Sequence, residues 1–412
     1  MRLKRVPLRL LAWFTTEHWL IGASLTRVSL GLLALYYYGL HLSVRHTLYG
    51  PDGVWPLSQY LLDASPFSLF RYVPPSAFEA LYAAAIAVAV LLTLGVFPRL
   101  MTVLHWLFVW SFQDRNPLLG DGGDNFVRII LLFLVLVNTG AYLTVMAPRP
   151  RRLVETKAIV HNVGVLLILA QLAYLYVSTG FYKVMGEVWQ NGTALYYILR
   201  VEEFTWPALA RYITHNPWLV VGGTYGTVLF EVFFLPALLN RYTRYLVIGA
   251  GVLFHVNIAL IMGLVTFAWS MLAVYPLLLT DDEYRGVVRR WRLEVFYDGW
   301  CPSCVRSIDL LRSLGTGLVR YRSFRTVPEI DQDRAARRIL SRRSDGAIRE
   351  GMDVLIQIAG RAPCLWPAVP PLVVGRVLFG QRLYDAMARR RLVMVPGGCD
   401  EHCPAGQASG RP

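Results

Sequence analysis

The chain has 412 residues and a formal net charge of +14, with 55% hydrophobic and only 17% charged residues. Soluble globular proteins carry about 25% charged residues, so this composition, with a mean hydropathy of +0.43 and a pI near 9.7, excludes a cytosolic enzyme of average make-up and indicates a membrane protein. The long apolar runs lie between residues 20 and 280 and most of the arginine follows them, so two parts with different solvents are expected.

The first ten residues are basic and then apolar, like the start of a signal peptide. Glu17 and His18 follow with no small-residue cleavage site, which favours an uncleaved interfacial helix. A span needs about 20 apolar residues. Eight stretches meet or approach that, roughly 20–42, 77–97, 99–113, 125–147, 158–185, 217–240, 243–263 and 264–280, the third and eighth being short. Arginine and lysine collect at the N-terminus, in every second connection (Arg99; Arg149, Arg151, Arg152 and Lys157; Arg241 and Arg244) and after the last stretch. That bias predicts a multi-pass protein of the cell membrane with both termini cytoplasmic. The opposite connections, 43–76, 114–124 and 186–216, are rich in Gly, Pro, Trp and Tyr and long enough for a lid or small cap.

Ionisable groups at membrane depth are costly unless paired or hydrated, which singles out Asp121, Asp124, Gln171, Lys183, Glu231 and His255. Bland alternatives stand beside a functional reading. Lys183, one of three lysines in the chain, can be a snorkelling anchor. Glu231 and His255 can hold helices together, and Asp121 with Asp124 can form a glycine-rich turn that caps the next helix.

The run Gln171-Leu-Ala-Tyr-Leu-Tyr-Val-Ser-Thr-Gly180-Phe-Tyr-Lys183, continuing through Trp189 and Gly192, resembles the signature of the HTTM family, the membrane domain shared with vitamin K-dependent gamma-carboxylase. Arg27 and Gly31, the turn Gly120-Asp-Gly-Gly-Asp124, Glu231 before Pro236, and His255 before Met262-Gly263 support it over roughly residues 10–280. The resemblance implies that Lys183 holds the family's catalytic base position. It also implies a membrane quinone, menaquinone-like, as cofactor, with Asp121, Asp124, Gln171, Trp189, Gly192, Glu231 and His255 as candidate pocket residues. Desolvation in an apolar cavity is what would let a lysine act as a base near neutral pH. No large extracytoplasmic domain follows the spans, so carboxylation of glutamate is not expected. Bacterial members resemble peptide-toxin maturation factors, which gives a second destination.

After a basic hinge at 281–292, Leu293, Val295 and Tyr297 alternate as in a strand, while Val305, Ile308, Leu311 and Leu314 recur at helical spacing. Cys301-Pro-Ser-Cys304 therefore falls at a strand-to-helix turn, where helix N–H groups favour a thiolate. Structural zinc held with Cys399, His402 and Cys403 is the competing use of this pair. The pattern Asp298-Gly-Trp-Cys301-Pro-Ser-Cys304 resembles the DCC family of thiol-disulfide oxidoreductases, and residues 378–392 resemble that family's C-terminal helix. The resemblance, over about 293–405, implies a small α/β thioredoxin-like domain without metal, Cys301 attacking and Cys304 resolving. Asp298 would either move a proton or cap the helix. Residues 406–412 read as a disordered tail. The arginine-rich stretch 320–349 is interleaved with Glu329, Asp331, Asp333 and Asp345, and reads as a solvated helix face near anionic lipid, not a nucleic-acid site.

The expected protein is thus a polytopic α-helical membrane bundle, residues 1–280, joined to a thiol domain. The functional expectation is an integral membrane oxidoreductase with two redox stations. The alternative is a non-catalytic bundle that anchors the thiol domain or serves peptide maturation or export. Expected partners are the lipid bilayer, a peptide or protein substrate and a cytoplasmic thiol partner.

Overall fold

The computed structural model describes residues 11–145, 155–314, 317–382 and 384–385. The chain divides at Asp281 and Asp282 into two compact units. In the first, helices stand at all eight places predicted for spans: α1 Leu20–His41, α2 Phe78–Leu94, α3 Pro98–Arg115, α4 Gly122–Leu134, α5 Glu155–Met185, α6 Pro217–Leu238, α7 Arg241–Ile261 and α8 Val265–Leu272. Five of them, α1, α2 with its leading turn from Pro75, α5, α6 and α7, are long and apolar enough to cross a membrane. The chain is a multi-pass helical membrane protein, but the other three helices are of a different kind. The 18-residue α3 carries Arg99, Gln113, Asp114 and Arg115, while α4 has 13 residues and α8 only 8.

The fourth predicted span, 125–147, is corrected most. Its helix stops at Leu134, and the chain beyond turns irregularly as far as residue 145. Irregular backbone is tolerated at membrane depth only where its polar groups find partners inside the protein, and Arg27 on α1 supplies them. Fully buried, its guanidinium donates to the carbonyls of Leu92 (2.5 Å) and Thr93 (2.9 Å) at the end of α2, and to those of Thr139 (3.1 Å), Tyr142 and Leu143. Ser24 Oγ, one turn earlier on α1, accepts from Tyr142 N. The eighth span is corrected too: α8 breaks into a 3-10 turn at Tyr275–Leu278, which contains Pro276. Met271, Ala273, Val274 and Leu277 are wholly buried in the bundle core.

Apolar side chains of α1, α4, α5 and α8, among them Leu30, Phe126, Ile130, Ile168 and Met271, form the main core. A second, aromatic cluster joins α1 to α2 and α3 through Tyr38, Tyr82 and Phe112. The unit is also closed end to end. Asp281 accepts from the backbone N–H groups of Leu20 (3.0 Å) and Ile21 (2.8 Å), two of the donors left open at the start of α1.

In the second unit the expected hinge is a helix, α9 Asp281–Trp291. Then come β1 Leu293–Tyr297, α10 Pro302–Leu314, β2 Val319–Ser323, α11 Gln332–Arg337, β3 Leu340–Arg343, β4 Ile348–Glu350, α12 Met352–Ala359 and α13 Val369–Phe379. The mixed sheet has the order β2-β1-β3-β4, with β1 parallel to β2 and antiparallel to β3. Central β1 is apolar on both faces. Leu293 and Val295 pack with Val354 and Ile358 of α12, and Phe296 packs opposite with Phe324, Ile330 and Leu340.

The arginine-rich stretch lies on strands and a short helix, not on one helix face. Arg334 and Arg338 pair with Glu350, Arg338 also with Asp385, and Arg342 with Glu294 and Glu329. The basic residues 149, 151 and 152, Cys399, His402, Cys403, residues 383 and 386–392 of the expected C-terminal helix and the tail 406–412 lie outside the described residues.

Replacing Arg27 by Met strands several buried carbonyls, at about 1–3 kcal/mol for each unsatisfied group. Thermal unfolding of the detergent-purified protein should show Arg27→Met destabilised by at least about 3 kcal/mol, whereas Arg45→Met, which removes the half-buried ion-pair partner of the exposed Glu79, should cost under about 1 kcal/mol.

Candidate functional site

Two places gather the residues singled out in the sequence, one in each unit. In the second unit the turn 298–301 joins β1 to α10. Tyr297 and Ser323 are register partners at the carboxyl ends of parallel β1 and β2, so both strands deliver their ends to this turn, the usual edge for a site in such sheets.

The turn is held at three points. Asp298 Oδ1 accepts from Trp300 N (3.0 Å). Arg325 donates through Nε (2.8 Å) and Nη2 (3.0 Å) to the two oxygens of Asp298, a bidentate pair, and its guanidinium lies 4.1 Å from the centre of the exposed Trp300 ring. Gly299 N donates to Ser323 Oγ (3.3 Å). A Cβ at residue 299 would lie 2.6 Å from that oxygen, so the close approach of turn to strand requires glycine. With its oxygens engaged in this way, Asp298 fixes the shape of the turn.

Cys301 immediately precedes α10, and its carbonyl accepts the first helical hydrogen bond, from Val305 N (3.0 Å). Cys304 lies in the first turn. Cys301 and Cys304 thus stand at the two ends of the first turn of α10. The helix N-terminus favours negative charge there. Exposure runs against the simplest expectation for an attacking thiol: Cys301 is completely buried and Cys304 is partly exposed. Among the described residues no group of three or more His, Cys, Asp or Glu is placed to hold a metal ion.

In the first unit, Lys183 near the end of α5 donates to both oxygens of Glu231 on α6, at 2.9 and 2.7 Å. Its ammonium sits 5.2 Å from the centre of the Trp189 ring. Gly180, one turn before Lys183, lets the two helices approach, because a Cβ there would meet Val232 N at 3.0 Å. Gly192 has φ +77°, a left-handed conformation that favours glycine, and packs against the ring of Tyr225, whose hydroxyl donates to Gln190 O (2.8 Å). Lys183, Glu231, Trp189 and Gly192 thus belong to one neighbourhood at the junction of α5, α6 and the following loop.

The remaining candidates fall elsewhere. His255 Nε2 is hydrogen-bonded to Tyr176 OH (2.6 Å), which in turn meets Tyr275 OH (2.8 Å). His255 Nδ1 is buried with no partner among the described residues. Gln171 is half-buried on α5, twelve residues and therefore about 18 Å before Lys183 along the helix. Asp121 and Asp124 form a capping box at the start of α4, each carboxylate accepting from the other's backbone N–H. Asp124 also borders a cavity of about 40 Å³ lined with Tyr37, His105, Gln113 and Ser270, and buried His105 Nδ1 has no partner among the described residues.

Sequence reasoning missed Arg325, Ser323, Tyr176 and Tyr275. Arg325 lies 24 residues beyond Cys301 in an arginine-rich stretch, so no local spacing marks it. Tyr176 was inside the quoted run, about two helical turns before Lys183, and carried no charge to draw notice.

The comparisons with known proteins agree with this division. The HTTM domain family matches residues 58–282, and the DCC1-like thiol-disulfide oxidoreductase family matches residues 295–395. The chain is similar to the uncharacterized protein YitO of Bacillus subtilis (strain 168), with 30% identity over 230 residues, 52% of this chain and 68% of YitO. It is also similar to the sporulation-delaying protein SdpB of the same organism, with 25% identity over 229 residues, 53% of this chain and 69% of SdpB. No solved structure matches.

Burial makes a direct prediction about the thiols. In the reduced, folded protein a maleimide should modify Cys304 at least tenfold faster than Cys301, read by peptide mass spectrometry. Arg325→Ala, which releases Asp298 and Trp300 together, should narrow that gap. Equal rates in the unaltered protein would contradict the described turn.

Proposed function

Because the chain belongs to the HTTM domain family and carries a DCC1-like thiol-disulfide oxidoreductase domain behind it, we propose that it is a membrane-anchored thiol-disulfide oxidoreductase whose Cys301–Cys304 pair exchanges with a peptide or protein disulfide. The observation that carries this reading is the placement of Cys301 and Cys304 at the start of α10, on a turn that Arg325 clamps through Asp298. The β1-α10-β2 unit followed by the β3–β4 hairpin and α12 is the arrangement we read as thioredoxin-like.

In the reducing direction the Cys301 thiolate attacks one sulfur of the substrate disulfide. A mixed disulfide forms and one substrate thiolate leaves. Cys304 then attacks Cys301 Sγ, which releases the second substrate thiolate and closes the Cys301–Cys304 disulfide. The substrate gains two electrons and two protons, and the enzyme pair loses them. Burial of Cys301 requires the Trp300 turn to shift before attack. The alternation of basic connections supports a cytoplasmic side of the cell membrane for this domain and both termini.

For the bundle, the quinone-linked reading draws support from the Lys183 neighbourhood. A menaquinone-like quinone would supply a two-electron carrier whose reduced, quinol form has ionisable ring hydroxyls. Lys183, Glu231 and Trp189 fit such a head group as a cation, an acceptor and an aromatic wall. His255 Nδ1, buried and without a partner among the described residues, leaves one more polar atom for a ligand. The cavity beside Asp124 is too small for a ring, having room for about one water. For Lys183 to act as a base its proton must first pass to Glu231, across 2.7 Å, leaving two neutral groups. The second reading, a non-catalytic bundle in peptide maturation or export, draws on the resemblance to peptide-toxin maturation factors, beside the likeness to the sporulation-delaying protein SdpB.

One experiment separates these readings. Full-length protein is purified in detergent, extracted for quinone, and assayed for reduction of a peptide disulfide by a dithiol, alongside Lys183→Ala and a Cys301→Ser, Cys304→Ser double variant. The thiol reading predicts at least a hundredfold loss in the double variant and less than a twofold change in Lys183→Ala. Retention of activity in the double variant would refute it. Quinone that co-purifies and is lost with Lys183→Ala supports the quinone-linked bundle, whereas its absence from the unaltered protein leaves the bundle an anchor.

A further inference from the structure

Helix α13 is built inside out for a soluble domain. Its polar attachment faces inward, where Arg376 donates to Asp353 of α12 at 2.9 and 3.3 Å and Gly375 is buried. Its outer face is wholly apolar. Trp366 in the preceding turn, then Pro370, Val373, Val374, Val377 and Leu378, follow one another at helical spacing along a single stripe, and all are exposed. Val377 and Leu378 are 77% and 67% accessible. From Pro370 to Leu378 the stripe runs about 12 Å along the helix.

Its surroundings indicate the occupant. At the N-terminal end, Trp366 Nε1 donates to Gly360 O (3.2 Å), and the adjacent Arg361 donates to Trp291 O (2.7 Å), the last residue of α9. Two exposed tryptophans therefore flank one turn, and beside Trp291 stand the exposed Arg289, Arg290 and Arg292. Exposed Arg382 follows the other end of the stripe. An apolar helix face ended by tryptophan and bordered by arginine fits the headgroup boundary of an anionic bilayer, where such a helix lies in plane with its apolar side about 5–10 Å deep. The bilayer is also close by connectivity, since α9 starts at the residue that ends the membrane unit.

We propose that the outer face of α13, with Trp366 and Trp291 at one end, is a lipid-docking surface that holds the thiol domain against an anionic membrane. This inference is independent of the chemistry at Cys301, so an exchange assay and a docking assay can fail separately.

The test uses the full-length protein in nanodiscs of phosphatidylethanolamine and phosphatidylglycerol. Photoreactive benzoylphenylalanine replaces Val377, or, as control, Asp333, an exposed residue of α11, which packs on the other face of the sheet from α12. After irradiation, adducts are identified by mass spectrometry. Docking predicts at least tenfold more lipid adduct from position 377 than from 333, increasing with the phosphatidylglycerol fraction. Adducts from 377 to a second copy, to another protein or to residues 386–412 of the same chain would overturn it, as would equal lipid labelling at both positions. With the label at 366, Val374→Glu with Val377→Glu should cut lipid adducts at least tenfold. Both sites are exposed, so the fold should tolerate the change, and undiminished adducts would also count against docking.

Discussion

Backbone polar groups inside a bilayer have no water to turn to, and beyond α4 the membrane unit meets that constraint with the buried guanidinium of Arg27. Arg27 takes up carbonyls from the end of α2 and from the irregular segment after α4. This is what allows α4 to be short and the chain after it to turn back without a full helix. The short α4 and α8 then fill the space between the longer helices, with Phe126, Ile130, Met271 and Ala273 at the centre. Asp281 closes the unit by satisfying the first N–H groups of α1, 260 residues away in sequence.

On this frame the Lys183–Glu231 pair is a consequence of close helix packing. Gly180 brings α5 and α6 together, and the two charges meet where neither could remain alone in apolar surroundings. The thiol domain uses an arginine in a related way, since Arg325 binds Asp298 and covers Trp300, fixing a turn that would otherwise be free to move. In both units an ion pair between sequence-distant residues sets the geometry of a candidate site. The two pairs differ in surroundings: Lys183 and Glu231 lie among membrane helices, while Asp298 and Arg325 sit at a sheet edge that a substrate can approach.

How much of this was legible in the sequence depended on the range of the interactions. Helix positions were readable because hydrophobic runs are local, and all eight stand where predicted. Their ends were not, because α4 stops at Leu134 on account of Arg27, more than 100 residues earlier. The Cys-x-x-Cys turn was readable from alternation on one side and helical spacing on the other. Its clamp was not, since Arg325 sits among many arginines that look alike in sequence and only the fold pairs it with Asp298. Likewise the arginines at 334, 338 and 342 read as a solvated face, whereas the sheet brings Glu294, Glu329 and Glu350 to them. Asp121 and Asp124 show the reverse case: their spacing pointed equally to a cap or a pocket, and the structure makes them a capping box that also borders a small cavity.

The central claim is that the chain performs thiol exchange through Cys301, with Cys304 resolving. The most direct measurement is trapping in native membranes: Cys304→Ser should leave the mixed disulfide unresolved. The account predicts a reducible adduct between Cys301 and a peptide or protein, mapped by mass spectrometry and absent when Cys301→Ser is added. No adduct, or one formed only through the exposed Cys364, would contradict it.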